Sequence, residues 1–488
     1  MRKAYSSQRR LDCAWVLNVK LNLNCRDEIV PVLRALQYVY ADPVLRQEIL
    51  DLIAQDVNED SRADRGREGM DYWQVLVLAA VRLGCNLDYD KLQDLAEQHR
   101  ALRQIMGIGD WDEKTDFNWR RIRDNVCLLQ PGTIERISHL IVAAGHRLDP
   151  EAVKKVRVDS FVVETNIHYP TESSLIFDGT RKVIELCVML STWFGIEGWR
   201  QHAHLLKKVK QTARRISRIS TRKGGHYKQR LQQQYRVLLD RTDKVLTRAR
   251  ELCKTLENEC ELGVVELARL AELKIFIERT EAVRDTARRR VMEGEQVPNS
   301  EKLFSIFEPH TQLYKRGKAG QSMQFGRLVR VYEDAAGFVI HQHVMPRDAQ
   351  DREVVVPQTR LVQERYEGRI EEGSFDRGFH SPENQTQLAA ILTHACLPKP
   401  GSQQSAQQEA EASLKFREQR RRHPGIESAI GALQAGNGLH RCRDRTKLGF
   451  DRYVALGVLG RNLHVLGKLL LAQEDADCKA AITRRAAA

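Results

Sequence analysis

Three carboxylates stand in contexts where a divalent cation could gather them: Asp159, Asp376 and Glu427. Asp159 lies inside an alternating apolar run (Val156, Val158, then Phe161 to Val163) that reads as a strand. A carboxylate in such a run either faces solvent, the commoner case, or is kept there because a metal ion needs it. Asp376 follows the short strand-like run 368–375 and precedes Gly378, which lets backbone or substrate approach closely. Glu427 sits beside the helical stripe Ile426, Ile430, Leu433, at the edge of a core. Three converging carboxylates repel one another and are tolerated mainly when divalent cations neutralise them. Oxygen ligands select hard Mg²⁺, with Mn²⁺ able to substitute, and two such ions about 4 Å apart suit displacement at phosphorus. Each position has rivals: Glu164, Glu172 and Asp178 near the first, Glu371, Glu372 and Glu383 near the second, Glu411 and Glu418 near the third.

The elements that must position them follow from periodicity. Residues 1–150 read as helices (27–54, 73–83, 89–102, 118–129) with a basic edge at Arg120, Arg121 and Arg123. That suits a helix-turn-helix-like DNA-binding region or an ordinary bundle. Residues 151–196 form a strand and a helix, the first part of a core. Residues 197–298 form a helical insertion broken at Gly224–Gly225, and 299–397 the second part of the core. That part has a hairpin around 333–337, a helix over 354–366 and a strand over 368–375. Residues 398–413 (PKPGSQQSAQQEAEAS) have linker composition, and 414–488 carry the Glu427 helix and the C-terminal helices.

Charge is concentrated in the insertion. The chain has a net charge of +13, and residues 200–250 alone hold 16 Lys or Arg against two Asp. Like charges at that density call for a screening polyanion, and a phosphate backbone is the economical one. Lys207, Lys208, Lys210, Arg214, Arg215 and Arg218 are the candidate DNA contacts here, joined by Arg420, Arg421, Arg422 and His423 near the last carboxylate. No stretch approaches the roughly 20 apolar residues of a spanning helix, so no membrane partner and a cytoplasmic, nucleoid-associated setting are expected. Ten cysteines without a CxxC pair read as reduced thiols. The HxH pairs His202/His204 and His341/His343 lack the companions of a metal site, so the bland reading is preferred.

A strand with an Asp, a hairpin, a helix, a strand ending in an Asp and a helix with a Glu suit an α+β or α/β, RNase-H-like core with a long helical insertion. The chain resembles bacterial insertion-sequence DDE transposases, most closely the ISNCY-type group. The resemblance rests on Val158-Asp159-Ser160, Glu164 to Pro170, Asp178-Gly179, Arg316-Gly317-Lys318, Ser374 to Phe379 and Gly425 to Ser428. It extends to Gly66 to Gly69 before Tyr72-Trp73, and to Cys442 to Arg445 and Arg461 to Leu463. It implies a metal-dependent enzyme, binding terminal inverted repeats and target DNA as a homo-oligomer, that nicks DNA and transfers the freed 3′-OH. It also implies that Asp159, Asp376 and Glu427 hold the metal, with Glu164 and Asp178 in support. Related enzymes often carry Tyr, Arg and Lys around the Glu, where this chain has Arg420, His423 and Gln434. A structure-specific nuclease on the same fold, or a DNA-binding repressor or scaffold with a decayed centre, remain the alternatives.

Overall fold

The computed structural model describes residues 11–25, 27–58, 69–112, 115–222, 224–315, 323–401, 408 and 411–487. It is a mixed α+β chain whose contacts divide it into two compact units. The first unit is 1–166 with 327–488, and the second is 167–326. The break therefore falls at Asn166 and Gly326 and not where the charge changes, so the helix expected to pack on the sheet belongs to the second unit. The motif residues 66–68 and 316–318 lie outside the described residues.

In the first unit the chain begins with α1 (Ile29–Ala41), α2 (Pro43–Asn58), α3 (Tyr72–Gly84), α4 (Tyr89–Gln98), α5 (Arg100–Ile105), α6 (Trp119–Val126) and α7 (Pro131–Leu148). Two helices read as continuous from periodicity are each broken in two. Asp42 interrupts the first, its carboxylate accepting from the amides of Val44 and Leu45, and His99 the second, its ring nitrogen capping Leu102 N. The α3 helix is capped by Asp71 on Gln74 N at 2.7 Å and is buried at every position from Val75 to Gly84. A helix apolar all round must be covered all round. It shares one core with α1, α7, the sheet and the C-terminal helix α16 (Thr446–Ala487), so the N-terminal helices are part of this unit and not a separate module. Contrary to the expectation that no stretch is long and apolar enough to span a membrane, α16 is, among the described residues, one helix that meets that test by length and composition. Of its most apolar window, 72% is buried inside the protein, as befits a core helix.

The sheet has seven strands: β1 (Lys155–Thr165), β2 (Gln312–Lys315), β3 (Met323–Asp334), β4 (Val339–Val344), β5 (Glu372–Phe375), β6 (His394–Cys396) and β7 (Arg441–Cys442). The order is β2-β3-β1-β5-β6, with β4 also antiparallel to β3 and β7 parallel to the end of β1. The β1–β5 and β5–β6 pairs are parallel. Between strands lie α12 (Asp351–Arg365) and α13 (Pro382–Ile391), and after β6 come α14 (Leu414–Arg422) and α15 (Gly425–Ala435). The open edge of β4 is closed by a side chain. The Asn462 amide of α16 accepts from Val339 N and donates to Val339 O, at 2.8 and 2.9 Å, as a neighbouring strand would.

The second unit is built on α8 (Glu172–Phe194), α9 (His202–Arg222), α10 (Tyr227–Glu259) and α11 (Val264–Ala287), around its own apolar core. At its centre Thr180, Thr242 and Thr280 are fully buried, and each hydroxyl donates to the carbonyl four residues earlier in its helix. A Cβ at Gly179 would stand 2.3 Å from Thr280 Oγ1, so glycine there lets α8 and α11 approach.

Candidate active site

The parallel register sets the site. Lys155, Val156, Arg157 and Val158 of β1 face Glu372, Gly373, Ser374 and Phe375 of β5. Asp376 directly follows Phe375, as Asp159 directly follows Val158, so the two aspartates come one residue past the last register pair. Alternate residues share a face. Lys155 and Arg157 therefore line up next to Glu372 and Ser374, with neighbouring strands about 4.8 Å apart, and Asp159 continues the same face of β1. Val156 and Val158, pointing the other way, are buried in the core.

The α14–α15 elbow, Arg422 to Gly425, packs onto that face. His423 is buried, and its Nδ1 lies 3.2 Å from Ser374 Oγ. Burial pushes the His423 ring below the ordinary imidazole range with help from Arg420, while Asp376 and Glu427 pull it back up, so both carboxylates lie within electrostatic reach of one ring. Glu427 is exposed in the first turn of α15, where the positive end of the helix favours a carboxylate.

The rivals are occupied. Glu164 pairs with Arg441 at 2.9 Å, Glu371 with Lys154 at 3.6 Å, Glu372 with Lys415 at 3.4 Å, and Glu418 with Arg422 at 2.6 Å. Glu411 accepts from Lys399 N and Glu383 from Gln387. In the second unit Glu172 pairs with Arg290, and Asp178 with His168 at 3.5 Å. Asp376 and Glu427, by contrast, are exposed and form no ion pair with any described residue. Asp159 accepts from Ser160 N at 2.7 Å. Among the described residues, no three His, Cys, Asp or Glu side chains are grouped closely enough to hold an ion as they stand.

Two supports went unnoticed in the sequence. Behind the site, fully buried Arg330 donates to Asp351 Oδ1 at 2.8 Å, and that oxygen also accepts from Ser160 Oγ at 2.7 Å. The same guanidinium stacks 4.9 Å from the Phe379 ring, so it braces the segments that follow both Asp159 and Asp376. Beneath the site, Arg157 pairs with Glu333 at 2.7 Å. Burial pushes the Glu333 carboxyl up to about 7 against the pull of Arg157 and Arg461. The signal available was a lone arginine within each apolar strand run, VRVD and LVRVY.

No family model matches the chain, and the comparisons with curated proteins and with solved structures find no match.

The cation candidates separate into kinds. Lys207, Lys208, Lys210, Arg214, Arg215 and Arg218 of α9 are all exposed, opposite the buried stripe Val209, Thr212, Ile216, and none pairs with a described carboxylate. Arg421 is exposed, Arg420 half-buried, and Arg422 is engaged with Glu418. His423 is not a surface contact, because its ring is buried against Ser374. His341 has one ring nitrogen on Gln358 and the other on Arg365, and burial drives it down to about 3.

Proposed function

We propose that this chain is a metal-dependent DNA strand-cleaving and strand-joining enzyme of the DDE transposase kind, on an RNase-H-like core. One observation supports the reading: Asp159 and Asp376 each directly follow the last printed β1–β5 register pair, Val158 and Phe375, and the elbow that begins the Glu427 helix contacts Arg157 and Ser374 on the same two strands, while the neighbouring acids are paired with cations or amides. The strand order β4-β3-β1-β5-β6, with β1 and β5 parallel, suits the same core. Asp159, Asp376 and Glu427 supply hard oxygen donors, the set that suits Mg²⁺ or Mn²⁺. Bound there, two such ions would activate the attacking oxygen and stabilise the leaving one. The protein side orients these carboxylates through Ser160, Arg330 and the elbow, and the exposed cations of α9 hold the DNA backbone. Double-stranded DNA, as element ends and target, is the proposed partner, with a homo-oligomer pairing two ends.

The test is cutting and joining of a fragment bearing the element's ends. Wild type should act only with Mg²⁺ or Mn²⁺, and the triple variant Asp159→Asn, Asp376→Asn, Glu427→Gln should bind the fragment and leave it whole. Robust cutting by that variant would sink the assignment. The spacing of the three acids, not gathered into one cage, favours as a second reading a DNA-binding protein without chemistry. Inert wild type with tight, salt-sensitive binding would establish it.

A further inference from the structure

The rung below the two aspartates is itself a device. On the face of β1 that Asp159 continues, Arg157 and its β5 partner Ser374 are in direct register. Both side chains reach up to the elbow. Ser374 meets His423, while Arg157 Nη1 donates to the carbonyl of Arg422, the last residue of α14, at 3.4 Å. A Cβ on residue 425 would stand 1.9 Å from that same Nη1, so the guanidinium fills the space that only a glycine leaves. From below, Arg157 is held by Glu333, whose side chain is 3% exposed and lies at a register shift in β3. Arg461 of α16 approaches Glu333 from the other side at 3.9 Å. The chain of contacts therefore runs from the core helix through Glu333 and Arg157 to the residue that begins α15, two residues before Glu427.

We propose that Arg157 is a positioning residue that pins the α14–α15 elbow to β1, and so sets the height at which Glu427 faces Asp159 and Asp376. The claim rests on the metal-site reading given above. A planar guanidinium serves a carboxylate and a carbonyl at once, which a single ammonium at the same place cannot do in that geometry. Outer partners that orient a metal ligand typically change metal affinity about 10- to 100-fold when removed.

Two variants test it in the full-length protein. Gly425→Ala displaces the guanidinium, and a cavity of about 500 Å³ lined by Arg157 and Arg422 gives the side chain somewhere to go, so the variant should fold. Arg157→Ala with Glu333→Gln removes the pin without leaving a buried carboxylate alone. Both are measured for Mn²⁺ binding by electron paramagnetic resonance, amide exchange over residues 423–427, DNA binding and Mg²⁺-dependent cutting. The expected result is amide exchange in the elbow and Mn²⁺ dissociation constants both raised about tenfold or more. DNA affinity should stay within about twofold, and cutting should recover in part at raised Mn²⁺. Unchanged elbow exchange in both variants overturns the pin. Faster exchange with Mn²⁺ binding that ignores Asp159→Asn and Asp376→Asn in the parent chain supports the pin and overturns the metal reading. Faster exchange with unchanged, carboxylate-dependent Mn²⁺ binding overturns the link between them.

Discussion

The carboxylate face of the first unit and the basic face of α9 in the second use charge in opposite ways. On the first, charges are few and placed: Glu372 answers Lys415, Glu333 answers Arg157, Asp351 answers Arg330, and two exposed acids are left without ion pairs among the described residues. On α9, six cations stand exposed with no described acid answering them, on a helix buried only at Val209, Thr212 and Ile216. Geometry decides what the first can do, and an error of an ångström matters there. Number and sign decide what the second can do, since a phosphate backbone is attracted without a fixed pose.

The largest effects should come from the placed charges. Asp376→Asn or Glu427→Gln alone is expected to lower cutting by on the order of 10³ or more while DNA affinity holds. The paired acids serve as controls: Glu371→Gln and Glu383→Gln should cut within about threefold of wild type, because surface partners contribute little. Loss of cutting in the controls equal to that in Asp376→Asn would erase the distinction between free and paired acids.

The basic face should respond in a different quantity. Replacing all six α9 cations by Ala should reduce the log–log salt slope of DNA binding by up to about five, at roughly 0.9 per phosphate contact. The cutting rate of the DNA that is bound should hold, and so should the melting temperature, because all six side chains lie on the exposed face. A salt slope that does not move would remove α9 from the DNA path and leave it to assembly or to another surface.

These two regions were not equally legible. The basic face is a matter of composition, and the run of cations between Gln201 and Arg222 announces it without any fold. Strand periodicity placed Asp159 in β1 and Asp376 after β5, and the elbow falls at Pro424-Gly425, a pair of residues that break helices. Register is a long-range property, so the pairing of Arg157 with Ser374 and of Val158 with Phe375 could be supposed but not read. The unit boundary was missed because α8 looks like any amphipathic helix, and its partners α10 and α11 come tens of residues later. Arg461 and Asn462 drew notice only as motif residues. The fold gives them work as the far end of the Glu333 contact and as the closure of β4. Arg330 shows the reverse error, a buried cation inside a strand that periodicity treats as noise.

That buried cation offers a smaller effect, again confined to the first unit. Asp351→Asn keeps an oxygen for Ser160 but faces a fully buried Arg330 with no charge. Breaking one side of such a pair costs about 3 kcal/mol. Thermal unfolding should therefore shift down, and cutting should fall with it, because the brace behind Asp159 and Phe379 loosens. An unchanged melting temperature would show that Arg330 is held well enough by the Asp351 carbonyl, at 2.6 Å, and by its stacking on Phe379.

The smallest effect is a response to acid. Arg365 Nη1 donates to two imidazoles, His139 Nε2 at 2.8 Å and His341 Nδ1 at 3.2 Å, and His341 has its other nitrogen on Gln358. Both rings must be neutral to accept, and burial drives them down to about 4 and about 3, with Arg365 adding to the shift. A depressed folded-state value means that the unfolded chain takes up protons first as the pH falls. Their stabilisation is whole above about pH 6.5, declines below it, and is spent for His341 only near pH 3. At pH 5, some 1.5 units below the unfolded value, His341 alone accounts for about 2 kcal/mol. His341→Gln should flatten the acid limb of a stability–pH curve by about that amount and leave the plateau above pH 7 lower but level. If acid instead released DNA at unchanged stability, the pH dependence would belong to the binding face and not to the core behind the carboxylates.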